Sequence, residues 1–466
     1  MNESVFKKEN QEYKDLPGSD NSTKDKKVFR VGVSPVRPNP KIGGLRSHLY
    51  NYAFAKSEAL KGLDSKIIFR VDDTNNEKHI PENVKELYNF FSEGLGLSFD
   101  VTPDNSFSKI GASVFQSERQ DVYKRYLEEL FDKHVAFLDK DSGLVLFDIE
   151  SFIKHYSDTL EINDLLRGKI KFSLEEKLKN NNRYFPILRS DASTLYHLAN
   201  VVDDSDFEVT HVVRGVDKLP ILEFQEMVRI VLDFDPKIYL HTPLLLSEEG
   251  GRLGGKVSFN DFLKQGFTSH SLISYMISSG YGNPDEIYPS IDSFIDTFDY
   301  RKIHKNNGIF DLKKLNNINR EIAKKTEDKL YIESIFIYLS KINEVVKLEA
   351  LQKSSLLQKI LLTLRRPPLI SLDILECILT PKYEPVRKDL EYCIKEVLKE
   401  LKNSEFVLIP DPGKLSFSKQ EFYSALNWIL VGRYSYPSID LNFDYFKSKN
   451  IIKERVQNAL DILASN

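Results

Sequence analysis

Phe29, Val31 and Val33 alternate with smaller or polar residues, the period of a half-buried strand. Pro35, Pro38 and Pro40 then hold the chain out of helix. Gly43 and Gly44 permit a close backbone turn, after which Leu45, Leu49, Tyr52 and Ala53 return at helical spacing. A strand that feeds a helix through such a turn aims the helix's free N–H groups at an anion. Taken alone, a Gly-Gly after a strand is more often only a tight turn. Residues 66–71 (KIIFRV) predict a second, parallel strand that runs into Asp72, Asp73, Thr74 and Asn75. A carboxylate at the carboxyl end of a parallel strand stands where such sheets bind ligands. Val84, Leu87, Tyr88 and Phe91 share one face of a helix that starts near Pro81 and ends at Gly94 and Gly96. Beyond about Lys302 helical periodicity dominates, over 330–339, 348–364 and 390–401, and Pro367 and Pro368 separate one bundle from the next.

Composition changes this picture little. A chain of 466 residues has room for about two to four domains. With 41% hydrophobic and 29% charged residues it reads as an ordinary soluble protein, and no apolar run is long enough for a membrane span. Cys377 and Cys393 make neither a disulfide framework nor a zinc site, which fits a reducing cytoplasm. Residues 1–27 are polar and lack an apolar core, so they read as a flexible tail rather than a secretory signal. The net charge of −4 argues against wholesale coating of nucleic acid but not against a local basic face. Residues 301–366 hold 15 lysines and arginines against 7 acidic residues, an excess that solvated helix faces also explain.

Taken in order, these residues resemble the glutamyl-tRNA synthetases, class I aminoacyl-tRNA ligases. Arg30, Ser34 and Pro35 match the family's opening Arg-x-Ala-Pro-Ser-Pro, and Ile42-Gly43-Gly44, Arg46, Leu49, Asn51 and Tyr52 match its HIGH signature and the helix after it. Lys41 stands where that signature has its first histidine, one extra residue lies in the turn, and a segment containing Arg37 replaces a Thr-Gly pair. Asp72 takes the place of the family's glutamate in Arg-Ile-Glu-Asp-Thr-Asp. Gln116-Ser117-Glu118-Arg119 with Tyr123, Tyr126, Leu127 and Leu130 matches a family helix, and Asp164-Leu165-Leu166-Arg167-Gly168 resembles its Asp-Glu-Leu-Arg-Gly. The longest ordered match is 186–217, with Tyr196, Asn200, Asp203, Asp204, Thr210, His211 and Arg214 on the pattern. Residue by residue a plainer account stays open: His197 as a core histidine, and Asp203 and Asp204 as a turn or helix cap. At the KMSKS position the chain reads Gly251-Arg252-Leu253-Gly254-Gly255-Lys256, and only Leu253 matches. The likeness is dense to Tyr281 and thin afterwards, where 426–437 resembles an element near the family's C-terminus.

The resemblance implies an α/β fold: a doubly wound, Rossmann-type parallel sheet with an inserted acceptor-stem domain, followed by all-α helical bundles. The expected divisions are a tail at 1–27, the nucleotide-binding fold at 28–137 and 186–240, a shortened insertion at 138–185, a KMSKS-like loop with stem-contact helices at 241–314, and a helical anticodon-binding region at 315–466. The implied activity is ATP-dependent activation of glutamate to glutamyl-adenylate and its transfer to tRNA. Arg30, Ser34, Asp72, Tyr196, Asn200 and Arg214 would bind glutamate, Arg30 and Arg214 by its side-chain carboxylate and Asp72 by its ammonium group. Lys41, Gly43, Gly44, Arg252 and Lys256 would serve the ATP phosphates, and Arg365, Arg366 and Arg433, with Tyr434 beside them, the tRNA. ATP with Mg2+ enters as substrate, zinc is not expected, and the protein reads as a cytoplasmic monomer without membrane contact. Losing one preset charge costs about two to three decades in rate. The altered ATP signatures therefore leave open a second reading, a non-catalytic relative that binds glutamate, Glu-tRNA or a partner protein.

Overall fold

The computed structural model describes residues 26–38, 40–74, 80–251, 253, 258–405, 409–435, 443, 445–447 and 451–465. Most of the expected tail therefore lies outside the described residues. Two compact units emerge, Met1–Lys256 with Met276–Phe310, and Val257–Tyr275 with Asp311–Asn466.

The strands of the first unit are β1 (Lys26–Val33), β2 (Asp64–Val71), β3 (Ala136–Leu138), β4 (Val145–Asp148), β5 (Thr159–Asp164), β6 (Gly168–Ser173), β7 (Tyr184–Leu188), β8 (His211–Gly215), β9 (Ile238–Thr242), β10 (Leu245–Leu246) and β11 (Gly308–Ile309). The main sheet has the order β2-β1-β8-β9-β5-β6. β1 pairs in parallel with β2 and β8, β9 in parallel with β8 and β5, and β6 closes the edge antiparallel to β5. The doubly wound parallel sheet expected from the sequence is thus present.

Two features differ from the sequence reading. β1 is not half-buried: Val28, Phe29, Arg30 and Val31 are all buried. A parallel strand inside a doubly wound sheet is covered on both faces. Val28 packs with Ile68, Val212 and Tyr239, while Phe29 lies against Phe54 of helix α1 (Ile42–Leu60) and the ring of His211. Also, the segment read as a separate insertion gives one hairpin to the main sheet. β5 joins β9 at Asp164 opposite Tyr239, whereas β3, β4 and β7 form a small antiparallel sheet.

α1 is held by buried polar contacts. Arg46, fully buried, donates to the carbonyls of Pro243 and Ser279. Tyr50 Oη donates to Ile277 O at 2.9 Å, and Asn51 Nδ2 to Arg30 O at 2.7 Å. These bonds fix the start of α1 against the carboxyl ends of β1 and β9.

The second unit is helical, including Leu312–Lys325, Asp328–Lys341, Pro368–Leu379, Glu391–Asn403, Lys419–Val431 and Ile452–Ser465. Its core joins Leu357, Ile374, Val397, Leu426 and Trp428, and Cys377 and Cys393 are buried there as free thiols. Gly432 ends the Lys419–Val431 helix at φ 79°, where a Cβ would lie 2.7 Å from Lys382 O. Among the described residues no helix is long and apolar enough to cross a membrane.

Asp203 and Asp204 sit within the Tyr196–Asp206 helix and neither makes a turn nor caps it. Asp203, fully buried, accepts from Arg119 Nε at 2.7 Å, Gln116 Nε2 at 2.8 Å and Tyr123 Oη at 2.9 Å. Burial holds its carboxyl above the usual range, against the pull of Arg70 and Arg119. Asp203→Ala strands these donors and should destabilise the protein by roughly 3 kcal/mol or more. Urea unfolding measures this, and a loss below about 1 kcal/mol, the scale of a surface pair, would refute the role.

Candidate active site

A cavity of about 550 Å³ opens where the sheet reverses its strand order, between β1 and β8. This is the switch point at which doubly wound sheets bind ligands. Arg30 and Gly32 of β1, Asp72 after β2, and Arg214 and Gly215 of β8 line it, with Lys41, Gly43, Gly44 and His48 at the start of α1 and Tyr196 from the helix that carries Asp204. Ser34, also expected here, is exposed and does not line the cavity. Asn200 is buried below it, where its side chain accepts from Arg70. Arg252 and Lys256 lie outside the described residues, and Leu253 lines the cavity.

The arginines of the site differ in how they are held. Arg30 forks onto Asp204, Nε to Oδ1 at 2.9 Å and Nη2 to Oδ2 at 3.2 Å. Arg70 donates to Asp204 Oδ1 at 2.7 Å and Asp72 Oδ1 at 2.6 Å. Burial opposes the charge on Asp204, but Arg30 and Arg70 outweigh it and keep this carboxyl below its ordinary range. Gly32 leaves room for the Asp72 carboxylate, since a Cβ there would lie 2.5 Å from Asp72 Oδ2 and press it aside. Arg214 is different. Its Nε donates to His241 Nε2 at 3.1 Å and its Nη1 to Gln225 Oε1 at 2.8 Å, while Nη2 is buried with no hydrogen-bond partner.

The mouth of α1 favours anions. Lys41 precedes the helix in extended conformation, without a side-chain cap on the first N–H groups. A Cβ on Gly44 would meet nothing within 4 Å. Lys218, also lining the cavity, lies over the Tyr196 ring at 5.6 Å. Among the described residues neither Lys41 nor Lys218 has a carboxylate at ion-pair distance.

Sequence reasoning missed Lys218, Asp217 and His48 in this cavity. His48 carried a readable signal: it follows Gly44 by four residues on a helix, so the two share a face. His197 is half-buried, edge-on to Phe185 and Phe224. In the second unit Arg365 ends the Ser355–Leu364 helix at φ 47°, with its guanidinium on Thr326 O and Asp328. Arg433 pairs with Asp373 at 3.0 Å, Arg366 is exposed, and the ring of Tyr434 is buried against Trp428.

A family model described as tRNA synthetases class I (E and Q), catalytic domain, matches residues 37–144 and 152–317. The chain is 30% identical over 305 residues to a glutamate–tRNA ligase of Methylacidiphilum infernorum, covering 63% of this chain and 64% of the relative. With two further glutamate–tRNA ligases, from Borrelia recurrentis and Clostridium novyi, the matches span 63% to 66% of the relatives' own length, a little under two thirds. To glutamate–tRNA ligase 2 of Caldicellulosiruptor saccharolyticus it is 26% identical over 433 residues, 82% of this chain and 86% of that one. The crystal structure of a glutamate tRNA ligase from Elizabethkingia meningosepticum in complex with its amino acid has the same fold, with a TM-score of 0.73 at 19% identity over 94% of this chain and 99% of the other.

His48 packs edge-on to Phe91 at 5.6 Å. Burial lowers its pKa from 6.5 to about 4, with Arg30 adding to the shift and Asp72 opposing it. The imidazole is therefore neutral at pH 7. The unfolded chain takes up this proton near 6.5 and the folded chain only near 4, so stability from this group is lost as pH falls between those values. An NMR titration of the His48 ring should show a midpoint near 4, and one near 6.5 would place the ring in water.

Proposed function

As the chain belongs to the class I tRNA synthetases (E and Q), we propose that it is a glutamate–tRNA ligase acting in protein synthesis. Glutamate attacks the α-phosphate of ATP, pyrophosphate leaves, and the glutamyl-adenylate passes its glutamate to the 3′ end of tRNA. The observation that carries this reading is Arg214, which lines the cavity and is held by His241 and Gln225, with no carboxylate paired to it among the described residues. A buried charged donor demands an acceptor, and a carboxylate is the strongest one available to it.

In this reading Arg214 receives the side-chain carboxylate and Asp72 the ammonium group, with Tyr196 beside them. Arg30 supports the pocket by fixing Asp204. Lys41, Lys218 and the free N–H groups at the start of α1 receive the phosphates, which gain negative charge as the bond to pyrophosphate breaks. Mg2+ comes with ATP; among the described residues no group of three or more His, Cys, Asp or Glu stands together as a metal site. The helical second unit takes the anticodon arm, and the protein works as a cytoplasmic monomer.

Glutamate-dependent exchange of pyrophosphate into ATP, with and without tRNA, tests the activity. A protein that binds glutamate but exchanges no pyrophosphate in either case is instead a non-catalytic relative. Arg214→Ala should weaken glutamate binding by about 2–5 kcal/mol and leave ATP binding intact. Calorimetry checks both, and unchanged glutamate affinity removes Arg214 from the pocket. Binding of tRNA should weaken steeply as salt rises, and Arg366→Ala should lower the salt slope by about one. Filter binding by the full chain measures this, and a flat salt response contradicts contact with the phosphate backbone.

A further inference from the structure

The way Arg214 is held separates it from the other arginines of the site. Arg30 and Arg70 rest on carboxylates, which cancel their charge locally. Arg214 rests on two uncharged acceptors, His241 Nε2 and Gln225 Oε1. His241 is kept in the form this requires by Asp164. One Asp164 oxygen accepts from His241 Nδ1 and from the His241 backbone N–H, each at 2.8 Å, and the other accepts from Leu166 N and Arg167 N, each at 2.9 Å. Both side chains are fully buried. With the proton fixed on Nδ1, the lone pair of Nε2 faces Arg214. A second proton on the ring would point at the Arg214 N–H, and burial and the charge of Arg214 both push its pKa down, against the pull of Asp164. The nearby Glu226 is occupied by Arg229 Nε at 2.9 Å and Tyr239 Oη at 2.5 Å.

We propose that Gln225 and His241 are positioning residues that set substrate charge: they fix Arg214 without neutralising it, so the cavity takes the carboxylate of an acidic amino acid and refuses the corresponding amide. Asp164, from the Asp164–Gly168 segment, serves this by holding the tautomer of His241. The inference rests on the glutamate reading above and adds how that site discriminates. An arginine already paired to a carboxylate would attract a ligand carboxylate far less, while its N–H groups would still bond an amide oxygen.

Gln225→Glu tests this, because it places a carboxylate where the amide oxygen stands and changes little else. Calorimetry of the full chain with glutamate and with glutamine gives the ratio of the two affinities. In Gln225→Glu that ratio should fall by about tenfold or more, through loss of glutamate binding, while glutamine binding stays within about threefold. In Gln225→Met, uncharged and of similar size, both ligands should weaken as Arg214 loses this support, while the ratio stays within about threefold of wild type. An unchanged ratio in Gln225→Glu, including equal losses for both ligands, overturns the inference and leaves the glutamate reading standing. If Gln225→Glu does not fold, as seen by circular dichroism, a Gln225→Met protein that loses the ratio overturns it equally. A wild-type protein that binds neither amino acid overturns the glutamate reading and this inference with it.

Discussion

The carboxylate of Asp204 is the point on which the first unit turns. It sits inside the protein between the guanidinium groups of Arg30 and Arg70, and so binds the Tyr196–Asp206 helix to the two strands that form one wall of the cavity. Buried ions persist only when paired and fully hydrogen-bonded. The geometry of β1, β2 and the helix is therefore set by charge as much as by packing. Asp203, the next residue, looks the other way, to Arg119, Gln116 and Tyr123. Two adjacent carboxylates thus anchor one helix in opposite directions, and Tyr196, at the start of that helix, is carried into the cavity wall.

What the sequence disclosed and what it withheld divide along physical lines. β1, the turn with its prolines and glycines, and α1 were legible because they follow from local periodicity and local backbone limits. The lysine at position 41 and the carboxylate at 72 were placed by the order of motifs, and both line the cavity. The partner of Arg30 was not legible, because an ion pair across 174 residues leaves no local trace. The attachment of β5 to β9 was missed for the same reason: Thr159–Asp164 alternates in burial as any edge strand does, and its place in the main sheet rests on one pairing with Tyr239. Arg365 lies just before Pro367 and ends a helix, in left-handed conformation with its side chain on Asp328.

The cavity shows that residue type alone does not fix electrostatic character. Arg30 and Arg214 both line it, and both match arginines of one family pattern. Arg30 is half of an ion pair, and Arg214 is a charge held by neutral atoms. The same side chain is neutralised in one place and left charged in the other, according to whether its nearest acceptor is a carboxylate. Lys41 and Lys218 line the same cavity at the mouth of α1, with Asp72 and Asp217.

Gly32 and Asp72 constrain one another. The family pattern has alanine and glutamate at these two positions, and this chain is smaller by one carbon at each. In the present geometry a methyl group at 32 would press on the carboxylate of Asp72, which Arg70 holds in place. The two positions are therefore coupled: a side chain at 32 and the carboxylate at 72 compete for the same space, so a larger residue at 32 requires that carboxylate to move. Each position thus confines the substitutions open to the other.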